Sequence, residues 1–124
     1  MKRVGIVLAG CGYLDGTEIQ EAVAALLALS RREVEVIAMA PNVPQMHVVD
    51  HRVHTEAEYT RNVLTESARI TRGDIQDLST VDVAGLDALV FPGGFGAAKN
   101  LCDFATAGTE MSVLPAIEAL ITER

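Results

Sequence analysis

Two apolar runs on either side of a helical pattern constrain the fold of this chain most strongly. Residues 4–9 (VGIVLA) end in a glycine-rich turn over residues 10–16, and residues 34–40 (VEVIAMA) are stopped by Pro41. Runs of this kind are typical of strands buried on both faces of a parallel sheet. Between them, apolar side chains recur at helical spacing and predict a helix whose core face is formed by Ile19, Val23, Leu26 and Leu27. A strand, a helix and a strand in this order form a βαβ unit, whose crossover is right-handed in nearly all known folds.

A third apolar run predicts a third parallel strand. Residues 88–91 (ALVF) end in a second glycine-rich turn, PGGFG at residues 92–96. Between the second and third strands, the pattern favours a hairpin over residues 46–53 and a helix over residues 58–70. We therefore expect an α/β fold, an open parallel sheet with helices on both faces and with the first strand between the other two.

The C-terminal segment predicts that the domain is incomplete. Ser112 is expected to cap a final helix that reaches Arg124 with no strand after it. Three strands make a thin sheet, and a doubly wound domain normally continues through one or two more. Residues 1–124 are accordingly expected to be the N-terminal portion of one domain.

Charge and composition limit the partners of the chain. Its formal net charge is -7, so it repels phosphate backbones and anionic lipid, and neither nucleic acid nor membrane is an expected partner. Lys2 and Arg3 precede a short apolar stretch, as in a signal peptide, but a glycine turn follows at once and favours a first strand. Two cysteines, Cys11 and Cys102, fit free thiols in a reducing compartment, and a cytoplasmic location is expected.

The second glycine-rich turn is a candidate binding site. Glycines let the backbone approach a ligand, and the amides of Gly93, Gly94 and Phe95 follow a strand, where consecutive N–H groups can bind an anion or an oxyanion. The alternative is a tight turn that needs glycine for packing alone. The local pattern leaves both interpretations open.

Glu18 is a candidate general acid or base beside that turn. It lies at the first turn of the first helix, and ligands of open parallel sheets bind outside the carboxyl ends of the strands. Glu18 and the turn at Gly93–Gly94 are therefore expected to face one crevice. The alternative is a helix N-terminal carboxylate with a favourable dipole contact. Asp15 or Thr17 is expected to cap this helix.

Cys11 and the three histidines are weaker candidates. Cys11 is a possible reactive thiol, because a helix N-terminus stabilises a thiolate, but no histidine stands near it in sequence, and a buried thiol is the alternative. His47, His51 and His54 lie on one helical face but not on one side of a strand. A solvated hairpin without a metal is the favoured interpretation.

Several motifs together resemble one family along the whole chain. Gly10-Cys11-Gly12, the DGTEI and EAV segments that follow it, TRNVL, ARITRG, LDAL and the turn from Pro92 to Leu101 resemble the enhancing-lycopene-biosynthesis proteins, or isoprenoid-biosynthesis glyoxalases. This family belongs to the PfpI-like, class I glutamine amidotransferase-like superfamily. The resemblance implies a flavodoxin-like sheet, a cysteine nucleophile on an elbow after a later strand, a catalytic glutamate matching Glu18, and an oxyanion turn matching Gly93, Gly94 and Phe95.

The resemblance also implies an activity. It points to a cofactor-free lyase that converts a small dicarbonyl, glyoxal, to glycolate, or acts as a deglycase, with a link to isoprenoid biosynthesis. The implied nucleophile lies beyond Arg124, so the chain by itself is expected to be inactive. A non-catalytic binding or regulatory protein of the same fold is the alternative. The sequence leaves open whether the protein forms a homodimer.

Overall fold

The computed structural model describes residues 1–123 and contains the predicted βαβ unit. Strand β1 spans Lys2–Val7, helix α1 spans Ile19–Ser30 and strand β2 spans Val34–Ala40. The two strands are parallel, with Val4 opposite Val36 and Ile6 opposite Ala38. The second strand has the predicted bounds, whereas the first begins and ends two residues earlier than predicted.

The remaining strands extend this unit into a four-stranded sheet and a separate hairpin. Strands β3 (Val49–Asp50) and β4 (Thr55–Glu56) form the antiparallel hairpin. Strands β5 (Gln76–Asp77) and β6 (Ala88–Val90) join the parallel sheet, whose order is β5-β2-β1-β6. This order confirms that the first strand lies between the second and the third of the predicted strands. Strand β5 was not predicted, because two residues are too short for a periodic signal.

The described part of the chain contains four further α-helices. Helix α2 spans Val63–Thr71, α3 spans Phe95–Lys99, α4 spans Phe104–Ala107 and α5 spans Pro115–Glu123. The predicted helix over residues 58–70 thus begins five residues late, because Asn62 is its N-cap and accepts a hydrogen bond from the Thr65 amide. The predicted cap of the last helix is also wrong. Ser112 instead donates its amide to Asp103, at 2.7 Å.

Hydrophobic clusters cover both faces of the parallel sheet. One consists of side chains that include Val7, Met39, Ile117 and Leu120, and the other of side chains that include Ile6, Leu8, Ala22 and Val63. Neighbouring residues of the first strand belong to opposite clusters, as the alternation of side chains along a strand requires. Helices therefore pack on both sides of the sheet. Within residues 1–123, no helix has the length and apolarity that crossing a membrane demands.

Helix α1 packs on the sheet through a different face from the one predicted. Ala22 is fully buried and Leu26 packs against the core, but Ile19, Val23 and Leu27 are 41–50% exposed. Small alanine side chains let the helix lie close to the sheet, and the larger side chains at i, i+4 and i+8 are left on the outer side. Helical spacing alone could not distinguish these two faces.

Candidate active site at the carboxyl edge of the sheet

The loop after β1 is fixed by two buried hydroxyl groups. The Thr17 hydroxyl accepts a hydrogen bond from the Ala9 amide at 2.7 Å, and the Ser67 hydroxyl accepts one from the Gly10 amide at 2.8 Å. Both side chains are fully buried. Gly10 has φ +103°, a conformation that favours glycine. The start of the loop is therefore anchored at the carboxyl edge of the sheet.

The second glycine-rich turn packs directly on that loop. The Gly93 carbonyl accepts a hydrogen bond from the Glu18 amide at 2.7 Å, and the Gly96 amide donates to the Gly16 carbonyl at 2.9 Å. A Cβ atom on Gly94 would lie 2.6 Å from the Gly16 oxygen, and one on Gly96 would lie 2.5 Å from the Ala9 oxygen. At least two of the glycines are thus needed for close packing of backbone on backbone.

The amides of the turn are only partly free to bind a ligand. The Gly93 amide donates to the Glu21 carboxylate at 3.2 Å, and the Phe95 amide donates to the Tyr13 carbonyl at 3.0 Å. Among residues 1–123, the Gly94 amide has no hydrogen-bond partner. Of the three amides expected at the oxyanion site, the structure therefore leaves one open.

Glu21, rather than Glu18, is the carboxylate that contacts the turn. Glu18 is the N-cap of α1, and its carboxylate accepts hydrogen bonds from the Gln20 and Glu21 amides at 3.0 and 3.1 Å. The expected caps are therefore wrong: Thr17 binds the Ala9 amide, and Asp15 accepts a hydrogen bond from the Val49 amide at 2.7 Å. The two glutamates are three positions apart, on neighbouring parts of one helix face, so both lie near the turn.

Glu18 instead lines a cleft of about 520 Å³ beside the loop. The same cleft is lined by Cys11, Asp15, His51 and Arg61. The second glycine-rich turn, residues 92–96, does not line it. Arg61 pairs with Glu66 at 3.1 Å, and its hydrogen bond to the Tyr59 hydroxyl raises the pKa of the guanidinium. The edge of the sheet therefore carries two neighbouring features, the cleft with Glu18 and the turn with Glu21.

The surroundings of the Cys11 side chain disfavour its thiolate. The side chain is half-buried and unpaired with Cys102. Burial raises the pKa of the Cys11 thiol, and the carboxylates of Glu66 and Asp15 raise it further, against the opposing effect of Arg69 and Arg61. Because the thiolate is the nucleophilic form, these surroundings do not favour Cys11 as a nucleophile.

The raised pKa predicts slow alkylation of Cys11. At pH 7.5, iodoacetamide should modify Cys11 several-fold more slowly in the folded chain than in urea, because less of the thiol is ionised when folded. The alkylation rate of Cys11 should increase as the pH rises above the ordinary pKa of a thiol. Peptide mass spectrometry separates modification of Cys11 from that of Cys102. Rapid alkylation of Cys11 that is already complete at neutral pH would contradict the burial argument.

The three histidines do not assemble a metal centre. Among residues 1–123, no three His, Cys, Asp or Glu side chains are placed to hold an ion. His51 contacts the loop after β1 through the amides of Tyr13 and Leu14, which precede it in the sequence by 38 and 37 residues. His47 is half-buried, and His54 is exposed with φ 61°. His51 is therefore the histidine that belongs to the site.

Asn100 is a further residue that the sequence did not indicate. Its side-chain amide donates to the carbonyls of Ala9 and Asp15 at 2.8 and 3.1 Å, and its oxygen accepts from the Met46 amide at 2.9 Å. It is 6% exposed. Asn100 therefore joins the end of β1, the loop and the segment after β2.

Known proteins show what the chain resembles. No protein-family model matches it. It is 55% identical over 122 residues to the human glutamine amidotransferase-like class 1 domain-containing protein 3, and 53% identical over 122 residues to the ES1 protein homolog of Rattus norvegicus. A crystal structure of an Ehrlichia chaffeensis isoprenoid biosynthesis protein with an amidotransferase-like domain superposes with a TM-score of 0.91 at 40% identity. The chain is homologous to glutamine amidotransferase-like proteins.

The matches cover different shares of this chain and of its relatives. They cover 98–99% of this chain, but only 46% of each animal relative and 56% of the Ehrlichia protein. The chain thus spans about half the length of the relatives it matches. The superposition confirms the flavodoxin-like fold.

The expected cytoplasmic location is wrong. The human and rat relatives are both named as mitochondrial proteins. Two free cysteines, on which the expectation rested, do not distinguish the cytosol from other reducing compartments.

Proposed function

We propose that this chain forms the acid–base side of a cofactor-free glyoxalase site, which converts glyoxal to glycolate, or of a related deglycase site. The observation that carries the proposal is the Glu21 carboxylate, 3.2 Å from the Gly93 amide at the carboxyl edge of the sheet. Glu21 is exposed, and this contact connects it to the turn that holds the open Gly94 amide. A carboxylate in such a place can take up and return a proton.

The reaction needs no redox partner, because glyoxal and water together contain the atoms of glycolate. A cysteine thiolate adds to one aldehyde carbon and gives a hemithioacetal. Glu21 removes the proton from that carbon and returns one to the neighbouring carbon, which yields a thioester of glycolate. Water then cleaves the thioester and releases glycolate and the thiol. The Gly94 amide is suited to donate to the oxygen that gains negative charge.

The proposal assigns the thiolate to the part of a longer protein beyond residue 124. The family resemblance implies a cysteine there after a further strand, and residues 1–124 are then the N-terminal portion of one domain. Cys11 is not assigned this role, because burial raises its pKa. Glu18, expected for the acid–base role, is assigned to holding the start of the helix, because its carboxylate binds two amides of that helix. The name of the Ehrlichia protein supports a proposed link to isoprenoid biosynthesis.

Glycolate formation tests the proposal. Residues 1–124 alone should produce no glycolate from glyoxal above the uncatalysed rate, because they lack the proposed nucleophile. A protein extended to the length of the relatives should produce it, and Cys11→Ser in that protein should change the rate by less than about twofold. Turnover by residues 1–124 that Cys11→Ser abolishes would make Cys11 the nucleophile and overturn the assignment.

A second candidate function is binding without catalysis. It is favoured by the Gly93 and Phe95 amides, which are already hydrogen-bonded within the chain. In that case the extended protein should bind a small dicarbonyl without turnover, and its downstream cysteine should not react with iodoacetamide at neutral pH. Turnover together with a reactive downstream thiol would exclude this alternative.

A further inference from the structure

His51 contacts the loop of residues 12–15 through a single ring nitrogen. The amides of Tyr13 and Leu14 both lie 3.0 Å from its Nε2 atom. Backbone amides only donate, so Nε2 has to present a lone pair to them. Its other nitrogen, Nδ1, lies 3.0 Å from the Val49 carbonyl oxygen, which only accepts. These three contacts together require a neutral imidazole that carries its proton on Nδ1.

A carboxylate lies close to this ring, and further charged groups line the cleft. The Asp15 carboxylate lies 3.7 Å from Nε2, and it is 5% exposed and accepts a hydrogen bond from the Val49 amide. Glu18 and Arg61 line the same cleft. A proton on Nε2 would face two amide hydrogens and would be attracted by Asp15. Protonation therefore replaces two hydrogen bonds to the loop with an ion pair to Asp15.

The same two residues of the loop are also hydrogen-bonded, through their carbonyls, to other parts of the site. The Tyr13 carbonyl accepts the hydrogen bond of the Phe95 amide, in the second glycine-rich turn. The Leu14 carbonyl accepts one from the Lys99 ammonium at 2.7 Å. Residues 12, 13 and 15 also line the cleft. A loop that is released at Tyr13 and Leu14 thus alters both the cleft wall and the turn.

We infer that His51 is a pH-sensitive positioning residue: as a neutral imidazole it holds Tyr13 and Leu14 through their amides, and on protonation it releases these two residues and attracts the Asp15 carboxylate. An imidazole suits this role, because the ring nitrogen that accepts hydrogen bonds in the neutral form becomes a donor once it is protonated. The inference concerns the loop itself and does not depend on the proposed reaction.

Hydrogen exchange of the whole chain, followed by NMR, tests the inference. The protection factors of the Tyr13 and Leu14 amides should both fall by about tenfold as His51 takes up its proton. The midpoint of this fall should coincide with the midpoint of the protonation of the His51 ring, measured in the same samples. The Gly12 amide, which donates to the Thr17 carbonyl at 3.1 Å, should keep its protection. His51→Gln places an amide oxygen where Nε2 lies and cannot titrate, so it should retain protection at every pH. His47→Gln is the matched control and should leave the step unchanged.

The nitrogen shifts of the ring in the unmodified chain provide a second readout. At pH 8 they should identify the form with its proton on Nδ1. An Nε2–H form at pH 8 would overturn the inference, even if His51→Gln did not fold. So would protection of Tyr13 and Leu14 that does not change through the His51 titration, or a pH step that persists in His51→Gln.

Discussion

Replacing Asn100 with aspartate should reduce the free energy of unfolding by about 4 kcal/mol, the scale of an uncompensated buried charge. The Asn100 side chain is nearly buried, and its NH₂ group donates to the carbonyls of Ala9 and Asp15. In Asn100→Asp, a carboxylate oxygen would face those two carbonyl oxygens, and both would lose their donor. Domains of this size are stable by about 5–15 kcal/mol, so a large share of the stability would be lost.

Urea unfolding measures this change, and Asn62→Asp is its matched control. Asn62 caps α2 through its side-chain oxygen, and aspartate caps a helix equally well. The control should cost no more than about 1 kcal/mol, for the lost hydrogen bond to Asn42. If Asn100→Asp were as stable as Asn62→Asp, Asn100 would not be the residue that joins the loop, the end of β1 and the segment after β2.

The strands of the fold could be predicted because their signal is local. Residues 34–40 form a strand with the predicted bounds, since an apolar run and a proline define it by themselves. The buried face of α1 could not be predicted in this way. Val23 and Leu27 fit the helical spacing as well as Ala22 does, and the close approach of the sheet decides between them.

The candidate site was harder to predict, because its contacts join distant parts of the chain. Glu18 and Glu21 both lie at the start of α1, and which one meets the turn depends on where Gly93 lies, 72 residues after Glu21. His51 and Asn100 belong to no periodic pattern. Their contacts span 38 and 91 residues, so only the folded chain reveals them.

The rate of glycolate formation from glyoxal in the extended protein, compared between Glu21→Gln and Glu18→Gln, decides whether Glu21 is the general acid and base of the site. Glu21→Gln keeps the size of the side chain and removes the base, so the rate should fall by about 100-fold or more, the usual scale for a general acid or base. Glu18→Gln keeps an oxygen that can accept a hydrogen bond from the first turn of α1, so its rate should stay within about tenfold of the unchanged protein. The opposite order, with Glu21→Gln nearly as active as the unchanged protein and Glu18→Gln inactive, would contradict the account.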